Sequence, residues 1–243
     1  MAKIFITGSA DGLGELAAKN LVDNGHQVVL HARNEKRAKD AMNKVPEAEK
    51  VLTGDLANMD EVKQLAEKVN ESGPFDVIIQ NAAVHRNSGD LILTINTLAP
   101  YVLTCLVNKP KRIIYMSSGS HLHGDPNPDI LDAGSISYGD SKLHMVMLAK
   151  AVARKWPDVY SNSVDPGWVP TKMGGSGAPG NLQKGYETQV WLTVSDDAKV
   201  SGRYFYHKKE ARYRKETDDT ALQDRFLEKC EKITGVGFPT EMV

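Results

Sequence analysis

Tyr138 and Lys142 stand four residues apart in "ISYGDSKLHM", at the head of a stretch with helical character. Residues at i and i+4 share one face of a helix, so the spacing sets a phenol beside an ammonium. A free phenol titrates near ~10 and is a poor acid or base at neutral pH; bringing it to ~7 takes about 4 kcal/mol of preferential phenolate stabilisation. One ammonium at about 4 Å supplies roughly that much at an effective dielectric of ~20. The pair has the energy for acid–base chemistry. The same spacing also arises by chance, and it takes its meaning from the residues placed beside it.

A second chemical signal lies at the amino end, where "ITGSADGLGELAAKNL" carries Gly8, Gly12 and Gly14 between an apolar run and an amphipathic one. Glycines there allow a tight turn and close approach of the backbone to a pyrophosphate, and the following helix directs free N–H groups at the anion. That is a dinucleotide signature. The end of the next apolar run chooses between the two nicotinamide cofactors, because an acidic residue there would bind a ribose 2′-hydroxyl and repel a 2′-phosphate. "VVLHARNEKR" has instead Ala32 followed by Arg33, with Arg37 a turn later, which favours NADP(H) over NAD(H). A solvated helix start is the other reading of the two arginines. In "TGDLAN", Asp55 can accept from an adenine amino group, or Asp55 or Asn58 can cap the next helix; the two readings stand even.

The elements that must position these groups alternate along the chain. "KIFIT", "QVVLH", "VLTG", "FDVIIQN" and "KRIIYMSS" are short, rich in Val and Ile, and lack polar alternation, as a parallel sheet buried on both faces requires. "VYSNSVDPG" and "RYFYH" read as two further strands. Helical patterns cover 13–24, 35–44, 59–72, 91–107, 137–156, 181–195 and 218–233. The expected fold is α/β: a single-domain doubly wound Rossmann fold, a parallel sheet of about seven strands with helices on both faces. Residues 1–243 read as one dinucleotide-binding domain. "PTKMGGSGAPGN" cannot hold a regular element and reads as a mobile loop, part of a substrate lid around 171–195.

Thirty basic against thirty-one acidic side chains leave a net charge of −1, which points to a small-molecule ligand and away from nucleic acid or an anionic membrane. Cys105 and Cys230 lack metal or redox spacing, and "HLH" at His121 and His123 has no further ligand spacing behind it, so no metal site is expected. A strand at the amino end leaves no room for a signal peptide, and no apolar run is read as approaching the ~20 residues of a membrane span. A cytoplasmic location is expected.

In this order the motifs resemble the short-chain dehydrogenase/reductase family, in its single-domain carbonyl-reductase and retinol-dehydrogenase-like branch. "TGSADGLG" is similar to the family's cofactor turn, "QNAAV" to its Asn-Asn-Ala-Gly segment, "INTLAP" to its helical asparagine and "YMSSGS" to its serine. "YGDSK" is similar to its Tyr-x-x-x-Lys pair and "DPGWVPT" to the Pro-Gly turn before the substrate loop. The resemblance implies an NADP(H)-dependent oxidoreductase that interconverts a ketone or aldehyde and an alcohol by hydride transfer. It gives Tyr138 the acid/base role, Lys142 the lowering of its pKa and a hold on the nicotinamide ribose, Ser118 a polarising hydrogen bond to the carbonyl, and Asn96 a water linking Lys142 to solvent. Thr7, Gly8, Ser9, Gly12, Leu13 and Gly14 would form the pyrophosphate turn, and Arg33, Arg37, Asp55 and Leu56 the adenosine end. Asn81, Ala82 and Ala83 would flank the cofactor at the sheet, and Pro166, Gly167, Val169 and Thr171 would contact its nicotinamide end.

The chain departs from the family pattern at Ala83, where glycine is usual, and in the long stretch "GSHLHGDPNPDILDAGS" between Ser118 and Tyr138. That loop leaves Ser117, Ser118 and Ser120 in competition to face the carbonyl, with Ser118 preferred. It is expected to wall the pocket, and the similarity implies a bulky, rather apolar ketone or aldehyde. Leu143, Met147 and Ala151 form an apolar strip expected to meet a partner in a homodimer, with His144 solvated nearby. Trp191 is expected to pack the lid helix on the core. Two competing functions are weighed. A regulator that senses NADP(H) without turnover would not need the Tyr/Lys/Ser/Asn set, and a methyltransferase would not need Arg33 or "YGDSK".

Overall fold

A computed structural model describes residues 1–239 of the chain. The apolar runs become β1 (Lys3–Ile6), β2 (Gln27–Ala32), β3 (Lys50–Thr53), β4 (Val77–Gln80), β5 (Arg112–Met116), β6 (Tyr160–Asp165) and β7 (Tyr204–Tyr206), followed by a two-residue β8 (Lys209–Glu210). They form one sheet in the order β3-β2-β1-β4-β5-β6-β7-β8. Pairing is parallel from β3 through β7, and β8 returns antiparallel on β7. This eighth strand goes beyond the seven expected. His207 and Lys208 turn the chain with φ of 48° and 62°, a hairpin geometry usually signalled by glycine or asparagine.

The pleat sends alternate residues to two cores. Phe5 faces one with Ile78, Ile113 and Leu65, while its neighbours Ile4 and Ile6 face the other with Leu30, Ile114 and Leu192. Helices α1 (Gly12–Asp23), α2 (Glu35–Lys44) and α7 (Leu182–Val194) contribute to the second core. Helices α3 (Met59–Glu71), α5 (Ala99–Leu106), α6 (Tyr138–Lys155) and α8 (Thr220–Thr234) contribute to the first. Strand order reverses between β1 and β4, so a crevice opens at their carboxyl ends, where doubly wound sheets bind ligands.

Four expectations are corrected by this packing. The helix read over 91–107 is α4 (Gly89–Leu93), a π-helical turn (Thr94–Leu98) and then α5. Gly89–Leu106 is also long and apolar enough, by length and composition, to cross a membrane, contrary to the expectation that no run approaches that length. In this fold 61% of it is buried, and it serves as a core segment. Along α6, every residue from Ser141 to Val152 is buried within the chain itself. The strip Leu143, Met147 and Ala151 is therefore closed to a partner, and His144 is buried rather than solvated, with Nδ1 3.1 Å from Thr97 Oγ1 and its ring against Phe226. Trp191 packs edge-on to Phe205, holding α7 on the sheet as expected.

Candidate active site

The glycine turn is built from behind by three strand ends. The Gly8 N–H donates to His31 Nδ1 at 2.9 Å. Nδ1 is then the bare nitrogen, so Nε2 carries the proton and donates to Gly54 O at 2.9 Å. Burial, opposed by Gly54 and Asp55, pulls this imidazole down to about 4 and keeps it neutral. Thr7 Oγ1 accepts from the N–H groups of Asn81 and Ala82, and Asn81 Nδ2 donates to the carbonyls of Thr7 and Gly8. Ser9 Oγ donates to Ile6 O and accepts from His31 N–H. Thr7, Ser9 and Gly14 thus brace the turn from inside and do not line the cleft.

Two of the glycines are dictated by contact. A Cβ on Gly8, whose φ is 64°, would meet Ala82 at 2.8 Å, and one on Gly14 would meet Asn81 Nδ2 at 2.5 Å. The turn can hug β4 only without side chains, and that leaves its other side open to a cleft of about 590 Å³. Gly8, Gly12 and Leu13 line its middle; Arg33, Arg37, Asp55 and Leu56 line one end. Asn81, Ala82 and Ala83 form the floor, and Tyr138, Lys142, Pro166 and Thr171 the far end. A cradle of this shape fits a nicotinamide dinucleotide. Gly167 and Val169 lie behind the wall: the Gly167 N–H donates to Asp165 Oδ1, and Val169 is buried under the following loop.

At the adenosine end the structure separates the open alternatives. Asn58 caps α3, its Oδ1 accepting from the N–H groups of Asp60 and Glu61, which leaves Asp55 on the cleft wall. Arg37 is engaged: its guanidinium meets Asp11 Oδ2 at 2.6 Å, and Lys172 from the loop after β6 reaches the same oxygen at 3.2 Å. Burial alone would raise the Asp11 carboxyl, but Lys172 and Arg37 hold it below the usual carboxylate range. Asp11 carries no signal in a glycine-spacing motif and is found only through its partners.

At the far end, Tyr138 is the first residue of α6. Ser137 and Asp140 close a reciprocal capping box on it, Ser137 Oγ accepting from Asp140 N–H and Asp140 Oδ2 from Ser137 N–H, which fixes where the phenol starts. Lys142 Nζ donates to Met116 O at 2.9 Å and lies 5.4 Å from the centre of the Tyr138 ring. Ser117 lines the cleft, but its Oγ is spent on Lys142 O at 2.8 Å, whereas the Ser118 side chain, outside the cleft lining, acts on the Tyr138 phenol and favours its ionised form. Ser120 supports Ser118, its N–H donating to Ser118 Oγ. Ser118 is thus the serine brought to the phenol.

Asn96 sits in the π-helical turn with its side chain fully used: Oδ1 accepts from Val84 N–H at 2.8 Å, and Nδ2 donates to Val84 O and Ser141 Oγ. Ser141 Oγ in turn donates to Tyr138 O. Asn96 therefore ties the β4 loop to the start of α6, and a water held here would be held by backbone carbonyls that the π-turn frees.

These features have counterparts in known proteins. The pattern described as short chain dehydrogenase matches residues 2–180. The chain belongs to the short-chain dehydrogenase family. An uncharacterized oxidoreductase of Emericella nidulans is 44% identical over 98% of this chain and 99% of its own length. The short-chain dehydrogenase chyC of Penicillium rubens is 40% identical over 98% of this chain and 100% of its own. Among solved structures, a blue fluorescent protein from a metagenomic library, in complex with NADPH, shares the fold with a TM-score of 0.71 at 20% identity, over 84% of this chain and 95% of that one.

The electrostatics of this short-chain dehydrogenase differ from the sequence expectation. Lys142 was expected to draw the phenol down, yet Tyr138 is pushed up to about 12, first by burial and then by Asp165, with Ser118 opposing. Burial also pulls Lys142 down to about 8, with Asp165 opposing. The ammonium is turned to Met116 O, and the negative charge of Asp165 acts on both groups. His85, which no motif marked, packs its ring tilted against that of Tyr138, centroids 4.5 Å apart; burial, Arg86 and Lys142 all depress its pKa. Of the "HLH" pair, His121 is buried against Ser118 and His123 is exposed, and no group of three metal-ligating side chains occurs among the described residues.

Proposed function

We propose that this short-chain dehydrogenase reduces a ketone or aldehyde to an alcohol with NADPH, and runs the reverse reaction when alcohol and oxidised cofactor prevail. One observation carries the reading: a protonated phenol, Tyr138, stands at one end of the cleft with Lys142 Nζ 5.4 Å from its ring centre, and the Ser118 side chain acts on it. A bound nicotinamide supplies hydride to the carbonyl carbon. Tyr138 Oη gives its proton to the carbonyl oxygen, and a phenol held at about 12 is loaded for that task across the neutral range. Ser118 Oγ donates to the same oxygen as negative charge gathers there, which lowers the barrier more than it stabilises the ground state. Lys142 supplies positive charge beside the phenolate left behind and holds the cofactor ribose. Asn96 keeps the loop after β4 and the head of α6 in register, so that the proton is replaced from the π-turn side.

The choice of NADPH is supported by Arg33 at the adenosine end, where no carboxylate ends β2, and by the NADPH complex of the blue fluorescent protein of similar fold. Met116, Ile95, Val84 and Met173 give the cleft an apolar lining around the acid–base pair, which favours an apolar carbonyl compound. The test is oxidation of NADPH and NADH with a panel of aldehydes and ketones, run beside Tyr138→Phe. The expected result is faster turnover with NADPH and a loss of about 10²-fold or more in kcat for the variant, which binds cofactor normally. Cofactor binding without oxidation by any member of the panel would leave a sensor instead of an enzyme.

A further inference from the structure

We infer that Asp165 is a positioning residue of the acid–base site: half-buried, it forms a polar cluster with the buried His121 and Tyr204 that fixes the Ser118 turn and sets a carboxylate whose charge acts on Tyr138 and Lys142. The inference rests on the carbonyl-reductase reading for its kinetic consequences. Asp165 ends β6, and its Oδ1 accepts from the Gly167 N–H at 2.8 Å, so the turn into the substrate loop holds the carboxylate in place. Its Oδ2 lies 3.2 Å from where a Cβ on Gly119 would stand, directly against the turn that carries Ser118. The sheet keeps it near the catalytic pair: Met116 pairs with Val164, Ser117 N–H donates to Val164 O at 2.7 Å, and Lys142 Nζ donates to Met116 O. Ammonium and carboxylate thus occupy the ends of the same two neighbouring strands.

His121 completes the link to Ser118. Its Nδ1 lies 2.7 Å from Ser118 O, and a carbonyl only accepts, so Nδ1 carries the proton and Nε2 is bare. That Nε2 is buried without a partner among the described residues, and the ring packs 4.5 Å from that of Tyr204. The Tyr204 hydroxyl is likewise buried, facing Asp165 without a well-formed hydrogen bond. Leaving such atoms unsatisfied costs stability, and their retention together beside the Ser118 turn points to function. The titratable and charged groups around Asp165 are Tyr138 and Lys142 from α6, His121 from the turn after β5, and Tyr204 from β7. Arg214, paired with Glu216, bonds Leu122 O at the cluster's outer side and acts on His121.

A buried ammonium alone is penalised, and a carboxylate beside it offsets the penalty. Burial has already brought Lys142 to about 8, with Asp165 opposing. Removing that negative charge lets Lys142 lose its proton at still lower pH. Asp165→Asn tests this, because its amide oxygen still accepts from Gly167 N–H while the charge is gone. Dinucleotide binding, read by nicotinamide fluorescence, and carbonyl reduction are each followed from about pH 6 to about pH 10, the range that brackets both lysine titrations. In the native chain both weaken as pH rises through about 8. In Asp165→Asn the same limb moves down by about one pH unit, and Asp165→Glu restores it. Coincident limbs, or an equal loss at every pH, overturn the inference.

If Asp165→Asn fails to fold by circular dichroism, His121 decides. His121→Leu should lower kcat about tenfold with KM unmoved, and His121→Asn, which keeps the donor to Ser118 O, should restore it. Equal kcat in all three proteins overturns the inference. A native chain that binds dinucleotide but reduces no carbonyl defeats the carbonyl-reductase reading alone, since the binding limb still tests Asp165; a chain that binds neither dinucleotide overturns both.

Discussion

Arg33 and Arg37 enter the cleft from adjacent turns, but their chemistry differs. Arg37 already answers a carboxylate, Asp11, which it shares with Lys172. Arg33 is exposed on the cleft wall and forms no ion pair among the described residues. A cation with no anion of its own is the better donor to an incoming 2′-phosphate, because nothing must be broken first. Arg33→Ala should therefore raise KM for NADPH by about tenfold or more while leaving NADH unchanged, the scale of one charge-assisted hydrogen bond. Arg37→Ala should do less. Asp11→Asn should free Arg37 and tighten NADPH, so measuring both cofactors with all three variants orders the contributions. An Arg37→Ala effect larger than that of Arg33→Ala would reverse the assignment.

At the scale of elements, α1 is held by what it lacks. Gly14 lets the helix lie on Asn81, whose Nδ2 bridges the carbonyls of Thr7 and Gly8. Gly14→Ala puts a methyl 2.5 Å from that nitrogen, so either α1 lifts or the bridge breaks. Overpacking of this kind costs about 1–3 kcal/mol, and in a chain of this size that lowers the thermal midpoint by about 2–10 °C. Dinucleotide affinity should fall with it, whereas an exposed Gly25→Ala control tests only the backbone; an unchanged midpoint and affinity in Gly14→Ala would show that the turn tolerates the methyl. The glycine turn was legible in sequence because spacing, strand and helix all point one way there. The break between α4 and α5 was not, because it depends on Asn96 bonding Val84 and Ser141, partners that only the folded chain assembles. The β8 hairpin escaped for a related reason: His207 and Lys208 are not residues that announce a left-handed turn. His31 read as one apolar-strand position among others, and its two ring nitrogens acquired meaning only when β1 and β3 came alongside.

At the scale of the whole molecule, burial lowers the pKa of five histidines, and this sets its response to acid. His31 and His144 are held at about 4 by burial, and burial also depresses His26, His85 and His121. Each of the five therefore takes up its proton more readily in the unfolded chain, whose imidazoles titrate near ~6.5. For a depressed pKa the contribution to stability is complete above the unfolded value and is lost as pH falls toward the folded one. The window is thus from about 6.5 down to about 4, where His31 and His144 each withdraw up to about 3 kcal/mol. Carboxylates held low by their ion pairs, Asp76 and Asp224 among them, begin to weaken the fold at the foot of that window and do so mainly below it. Urea unfolding at about pH 7.5, 5.5 and 4.5 should show a steep fall across the window, and His144→Leu should flatten it. That variant also removes a buried nitrogen without a partner, and its stability relative to the native chain should rise as the pH drops. Parallel stability curves for the two would mean that His144 is already charged in the fold, and the neutral interior argued for α6 would be wrong.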